Sequence, residues 1–219
     1  MEGNHNRIIG QAAGSVLKGM GLFRKGSSRL WIDDNGWFFI VVEFQHSKWA
    51  AGAYLNVAVH YLWSGNDFLS YDFGHREREL VAFSGDEERF YAEMVSLAEC
   101  AAEKVTEYRR FRDIEYAKEQ ILRRNGFAAA SVELYHRMMI CGLAKDKAAK
   151  RYYSALVRDI RHSQLNYDIR YARELLEEIM PVIDEAEEFE RFTRLKIAGQ
   201  REFWRSKTSM KKMKTEAEF

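Results

Sequence analysis

Two apolar segments of the chain, WFFIVVEFQHSKW from Trp37 and AYLNVAVHYLW from Ala53, carry polar side chains that could do chemistry. A carboxylate such as Glu43 can orient or polarise an imidazole such as His60, which then acts as a general acid or base. Such a site also needs a nucleophile or a metal ion beside it. No GxSxG, HExxH or Walker sequence occurs in the chain, so no residue is assigned a catalytic role and a non-enzymatic protein is favoured.

Alternation along these segments places the polar groups on one side of a sheet. Successive side chains of a strand point to opposite faces, so one set is uniformly apolar and the other is mixed. Aromatic rings among a few convergent polar groups are typical of a ligand-binding surface. An ordinary exposed sheet face with cross-strand aromatic pairs is the alternative. The residues of the mixed set are Trp37, Phe39, Glu43, Gln45, Tyr54, Asn56 and His60.

Four cations lie close to the ends of the predicted strands. Arg24, Lys25 and Arg29 come just before the first predicted strand, and Lys48 lies at the turn that follows WFFIVVEFQ. If these side chains share one end of the sheet, they could hold a phosphate or a carboxylate. A solvated rim of the sheet is the alternative.

The sequence predicts neither a metal site nor a cofactor. Cys100 and Cys141 are far apart in the chain and lie in helical patterns, which indicates two buried thiols. Glu133 and His136 form a single ExxH, which is half of the ligand set that carboxylate di-metal bundles use, and the chain has no second one.

The sequence patterns predict that these residues are positioned by the helices and strands of an α+β fold. Apolar residues at helical spacing over 5–20 predict an N-terminal helix. The Asn35-Gly36 dipeptide predicts a tight hairpin, and short turns through HSKWAAG and onward to LSYDF and ELVAF predict an antiparallel meander of four to five strands. Ser84 and Glu87 form a predicted capping box for a long helix that covers the sheet. The predicted apolar stripe of that helix consists of Phe90, Met94, Leu97, Ala98, Ala101, Val105 and Tyr108.

Everything after Arg112 has helical patterns, which predicts a sheet domain over 1–112 and an all-α bundle or helical-hairpin region over 113–219. Helices are expected over 113–125, over 128–141 with an end at Gly142, over 145–162 and from about 167. Pro181 is expected to kink or divide the last of them. The end, SKTSMKKMK, is expected to be a frayed basic tail.

Composition narrows the classes of partner. A net charge of +1 and a pI near 7.8 do not suggest a polyanion partner, so nucleic acid is disfavoured. The start of the chain lacks the basic and apolar regions of a secretory signal, and no apolar run is long enough to span a bilayer. We therefore expect a cytoplasmic protein that does not enter the membrane.

The segments LFRKG, FQHSKW and NV, which begin at Leu22, Phe44 and Asn56, carry a family resemblance. The order of helix and strands over about 5–112 resembles a group of bacterial proteins known as domain of unknown function forty-three-oh-four, although Leu22 stands where that group has Phe. The resemblance implies the fold more than a function, since the group has no assigned activity or catalytic residue. Proteins of this size and composition are also similar to the small immunity proteins of bacterial toxin systems.

Three functions are consistent with these patterns. The first is a non-enzymatic, immunity-like binding protein that recognises a protein or peptide through the mixed face, with Trp37, Phe39 and Tyr54 as aromatic anchors. The second is a small-molecule-binding protein or enzyme that uses Glu43, Asn56 and His60. The third is binding of single-stranded nucleic acid on exposed aromatic rings, for which basic neighbours are few.

Overall fold

The computed structural model describes residues 2–126, 128–162, 173, 176–207 and 210. It contains an N-terminal helix, a five-stranded antiparallel sheet and a series of helices, which confirms the predicted α+β class. Most of the predicted basic tail, and the start of the helix expected from about 167, lie outside the described residues. Within the described ranges, no helix combines the length and the apolar character that a membrane span requires.

The strands are β1 (Phe23–Arg24), β2 (Leu30–Asp34), β3 (Phe38–Gln45), β4 (Gly52–Tyr61) and β5 (Phe73–Ala82). The helices are α1 (Glu2–Leu17), α2 (Glu87–Tyr108), α3 (Ile114–Arg123), α4 (Ala130–Leu143), α5 (Ala148–His162) and α6 (Ala186–Ser206).

The sheet is a meander in which each strand pairs antiparallel with the next, in the order β1-β2-β3-β4-β5. The predicted hairpin between β2 and β3 is confirmed, and Gly36 adopts the positive φ of 87° that its turn requires. At the start of β4, Gly52 also has a positive φ. A Cβ atom there would lie 2.1 Å from the carbonyl oxygen of Val81, so only glycine fits against β5.

Helices α1 and α2 pack together on one face of the sheet. All the residues of the predicted stripe of α2 are buried, which confirms its helical phase. The predicted cap is wrong: α2 begins at Glu87, and the carboxylate of Asp86 caps it by accepting the amide of Arg89 at 3.0 Å. Asp86 takes this role because Ser84 lies too far before the first turn of the helix.

The chain forms two compact units. The first contains residues 1–109 together with the described residues 201–207 and 210, which we call the C-terminal segment. The second covers residues 110–200. The prediction had placed everything after residue 112 in the helical region, whereas the C-terminal segment groups with the sheet.

In the second unit, α4 and α5 pack against each other as a helical hairpin. Gly142 does not end α4, which continues to Leu143. A Cβ atom on Gly142 would lie 2.5 Å from the ring of Phe189, so this glycine permits close packing of α6. Pro181 lies in a turn between a short helical stretch and α6, as its predicted role as a divider requires.

Candidate binding face of the sheet

The register of β3 and β4 puts the mixed set of side chains on one face of the sheet. Phe39 pairs with His60, Glu43 with Asn56, and Gln45 with Tyr54. We call this side the mixed face. It is opposite to the face on which α1 and α2 pack, because those helices contact the alternate residues, including Trp31.

The two ends of the mixed face differ in exposure. Phe39 and His60 are completely buried and Trp37 is only 2% exposed, whereas Glu43 and Tyr54 at the other end reach the surface. Trp37 and Phe39 are therefore core residues and cannot serve as the aromatic anchors that the sequence predicted. The reason is that alternation assigns side chains to a face but does not show what covers that face.

The proposed trio of Glu43, Asn56 and His60 is also not one site. Asn56 and His60 are four residues apart on β4, which corresponds to about 13 Å along a strand. The fully buried pair of Val41 and Ala58 separates them. Glu43 therefore cannot orient His60, and the catalytic arrangement considered from the sequence is wrong.

The C-terminal segment covers the buried end of the mixed face. The indole of Trp204 meets the His60 ring edge-on, with ring centroids 6.1 Å apart. Arg201 donates to both carboxylate oxygens of Asp34, one of them at 2.8 Å, and to the carbonyl of Gly36 at 2.7 Å. This bidentate, buried ion pair joins the C-terminal segment to the β2–β3 hairpin.

His60 lies beside a serine and an aspartate, but not in the geometry of a catalytic triad. Its Nδ1 is 2.8 Å from Ser70 Oγ and accepts the amide of Ser70 at 3.2 Å. The nearest oxygen of Asp72 is 3.6 Å from the same nitrogen. A triad needs the hydroxyl and the carboxylate on opposite ring nitrogens, so here Ser70 fixes the ring and neither the serine nor the aspartate is activated through it.

At the other end, which we call the open end, polar side chains form a connected network. Glu43 Oε2 accepts hydrogen bonds from Tyr71 Oη at 2.6 Å and from Asn56 Nδ2 at 2.9 Å. Asn56 Nδ2 also lies 3.0 Å from Gln45 Oε1. Burial, and then the hydrogen bond to Glu43, raise the pKa of Tyr71, so its phenol stays protonated as a donor.

Arg76 of β5 completes this network. It donates to Gln45 Oε1 at 3.1 Å, and its guanidinium carbon lies 4.1 Å above the ring of Tyr54. Arg76 and Tyr71 were missed because the sequence was divided into separate strands at LSYDF and ELVAF, whereas a single strand covers Phe73–Ala82 and Tyr71 precedes it. Arg76 lies opposite Asn56 in the register of β4 and β5. Aligning these two strands in the sequence would have placed Arg76 on the mixed face.

Trp49 was also missed as a candidate, although it is the most exposed large hydrophobic residue among those described. It lies in the β3–β4 turn, directly beyond the pair of Gln45 and Tyr54, and is 91% exposed. The turn is ordered by Ser47, whose Oγ accepts the amides of Trp49 at 3.1 Å and Ala50 at 3.3 Å. The indole is thus presented to solvent from a fixed backbone.

The predicted cationic rim is divided between the two faces. Lys25 lies 5.8 Å from the ring centroid of Trp204, on the mixed face, whereas Arg29 reaches Asn6 of α1 on the opposite face. Arg24 donates to the carbonyls of its own β1–β2 turn. Only Arg29 and Lys48 adjoin the β3–β4 turn, as the contact of Arg29 with Gly52 shows.

The glutamate of the α4 ExxH is engaged by its neighbours in the chain. Glu133 accepts the amide of Ala128 at 3.3 Å and forms an ion pair with Arg137. Its carboxylate therefore stabilises the start of α4. No group of three or more potential metal ligands occurs in the part of the chain that the structure describes.

Comparison of the chain with models of protein families, with curated proteins and with solved structures found no match.

Proposed function

We propose that the protein is a non-enzymatic binding protein that recognises a protein or peptide through the open end of the mixed face and Trp49. The observation that carries this proposal is the 91% exposure of Trp49 on an ordered turn. A tryptophan has about 150–250 Å² to bury, worth roughly 4–6 kcal/mol of gross apolar transfer at about 25 cal/mol per Å². Tryptophan is also among the residues most enriched in interface hot spots.

The open end supports the proposal because its side chains are already fixed. The hydrogen bonds among Glu43, Gln45, Asn56 and Tyr71 hold these groups in one arrangement before any partner arrives. A partner would then lose little conformational entropy on ordering them. Arg76 stacks on Tyr54 while its side chain stays 41% exposed, which leaves donors for a partner.

The proposal is tested by replacing Trp49 with alanine and measuring the change in affinity for a partner isolated from the native host. We expect the dissociation constant to rise at least about thirtyfold, which corresponds to the 2 kcal/mol that defines a hot spot. Phe68→Ala is a matched control, since Phe68 is 60% exposed and lies outside the mixed face. The affinity of the Phe68→Ala protein for the partner should stay unchanged.

An affinity that responds equally to both substitutions, or to neither, would contradict a recognition site at Trp49. A second variant, Arg76→Ala, separates the sheet from the turn. If Trp49→Ala weakens binding of the partner and Arg76→Ala does not, the turn alone makes the contact. Binding of single-stranded nucleic acid that weakens steeply with salt would replace the protein-recognition proposal with the nucleic-acid alternative.

A further inference from the structure

A depression of about 500 Å³ lies between the β3–β4 turn and the first turns of α1. Helix α1 contributes His5 and Asn6 to its lining, and the turn contributes residues 46–52. His46, Lys48 and Trp49 are exposed there. The depression therefore combines two imidazoles, an ammonium and an indole beside a backbone turn.

Arg29 lies directly behind this depression. It is 7% exposed and donates from Nη1 to the carbonyl of Gly52 at 2.8 Å and from Nε to Asn6 Oδ1 at 2.8 Å. Its Nη2 also donates to Asn6 Oδ1. Both acceptors line the depression, and both are neutral.

The charge of Arg29 has no carboxylate partner among the described residues. Burial, and then the charge of Arg24, lower the pKa of Arg29 to about 10, so it is still a cation at neutral pH. Buried charges are normally paired, because desolvation of an isolated ion is costly. Arg201, which is buried to a similar degree, follows that rule through Asp34.

The surroundings of Arg29 add positive charge. Residues 3–32 contain five Arg or Lys residues and neither Asp nor Glu. The pKa of His46 is lowered, first by partial burial and then by Arg29, while the charge of Glu43 raises it to a smaller extent, so the imidazole lies within the field of the Arg29 guanidinium. Lys48 forms no ion pair within the described part of the chain. An anion in the depression would meet the positive potential of Arg29 and Lys48.

We propose that the depression binds an oxyanion, a phosphate or carboxylate group, with Lys48 and His46 as direct contacts and Arg29 as a fixed counter-charge behind Asn6. Lys48 supplies a charged donor, and the neutral imidazole of His46 supplies an N–H donor. Arg29 acts through its field, since it is 7% exposed and each of its three nitrogens already donates to Asn6 or Gly52. The site needs no protein partner and so goes beyond the function proposed above.

The sharpest test is Asn6→Asp, which places a carboxylate of nearly the same shape against Arg29. Inorganic phosphate and acetate would each be titrated into the protein at constant ionic strength set with chloride, by calorimetry and by thermal unfolding. The wild type should bind one of them saturably and melt at a higher temperature when it is bound. Asn6→Asp should melt higher than the wild type without added anion and bind at least about tenfold more weakly.

Two further variants complete the experiment. Gln11→Glu adds the same charge to α1 without contacting Arg29 and should keep the affinity within about twofold. Lys48→Ala changes an exposed side chain, so it should fold normally, and it should also lose about tenfold in affinity.

No saturable binding of either anion above the chloride background would overturn the proposal. Uptake that survives both Asn6→Asp and Lys48→Ala would show an adventitious ion only and would overturn it as well. Phosphate binding without acetate binding, or the reverse, identifies the class of oxyanion. Because these titrations use the protein alone, they can fail while the partner assay with Trp49→Ala succeeds.

Discussion

The ion pair between Arg201 and Asp34 should decide whether the C-terminal segment stays on the buried end of the mixed face. The side chains are 5% and 2% exposed, respectively. Arg201→Ala removes the donors to both oxygens of Asp34. Among the described residues, the amide of Gly36 still donates to Asp34 Oδ1, at 3.1 Å, in this variant. Breaking a buried pair by removing one partner costs about 3–5 kcal/mol, because the other charge is left uncompensated.

For a chain of 150–250 residues, 1 kcal/mol corresponds to about 2–4 °C in Tm, so Arg201→Ala should lower the Tm by roughly 6–20 °C. Urea unfolding followed by tryptophan fluorescence gives the free energy directly. Arg89→Ala is the matched control, since its pair with Glu93 is exposed and should be worth less than about 1 kcal/mol. Hydrogen exchange at His60 and its neighbours should also accelerate in Arg201→Ala.

The double variant Asp34→Asn with Arg201→Met removes both charges together. It should recover much of the lost stability, because no buried charge is then left alone. An Arg201→Ala protein within about 1 kcal/mol of the wild type would refute the assignment of a buried, desolvated pair. So would a double variant that is no more stable than Arg201→Ala.

Three other predictions follow from individual contacts. Tyr71→Phe removes a donor to the Glu43 carboxylate and should cost about 1 kcal/mol in urea unfolding; an unchanged midpoint would show that the bond is not formed. Burial raises the pKa of the Cys141 thiol to about 12, so iodoacetamide at pH 8 should modify half-buried Cys100 in the native protein and Cys141 only after unfolding; mass spectrometry showing both modified in the native state would contradict this. The pKa of Asp146 is lowered, chiefly by the amide of residue 148, so its ionised form adds stability at neutral pH that is lost as the pH falls below about 4. The difference in Tm between wild type and Asp146→Asn should therefore shrink in acid, and a difference that is constant from pH 7 to pH 3 would rule out this linkage.

The parts of the fold that follow from local periodicity could be predicted from the sequence. The stripe from Phe90 to Tyr108 has the period of a helix, and it is buried in full. The Asn35-Gly36 turn fixes the register of β2 and β3 through its own geometry. Alternation along β3 and β4 likewise fixed which side chains share a face.

The cover over that face could not be predicted, because it depends on a contact between distant parts of the chain. Arg201 and Asp34 are 167 positions apart. No local pattern links an arginine in a helix to an aspartate in a hairpin, although the segment that carries this arginine also places Trp204 against His60. The role of Trp49 was missed for a related reason, since an aromatic residue in a turn looks the same in sequence whether it is packed or exposed.

The buried charged residues form ion pairs at one end of the sheet and contact neutral acceptors at the other. At the β2–β3 hairpin, the adjacent carboxylates of Asp33 and Asp34 point to opposite faces, where Arg109 and Arg201 neutralise them. At the β3–β4 turn, Arg29 is buried beside neutral acceptors only, and the exposed residues include an ammonium and an indole. The first end is closed by charges that satisfy each other, so a ligand would have to displace an existing pair there. The second end has a buried cation without a carboxylate partner among the described residues, and an exposed indole. A ligand there would displace no existing ion pair, which is why both proposed sites lie at the β3–β4 turn.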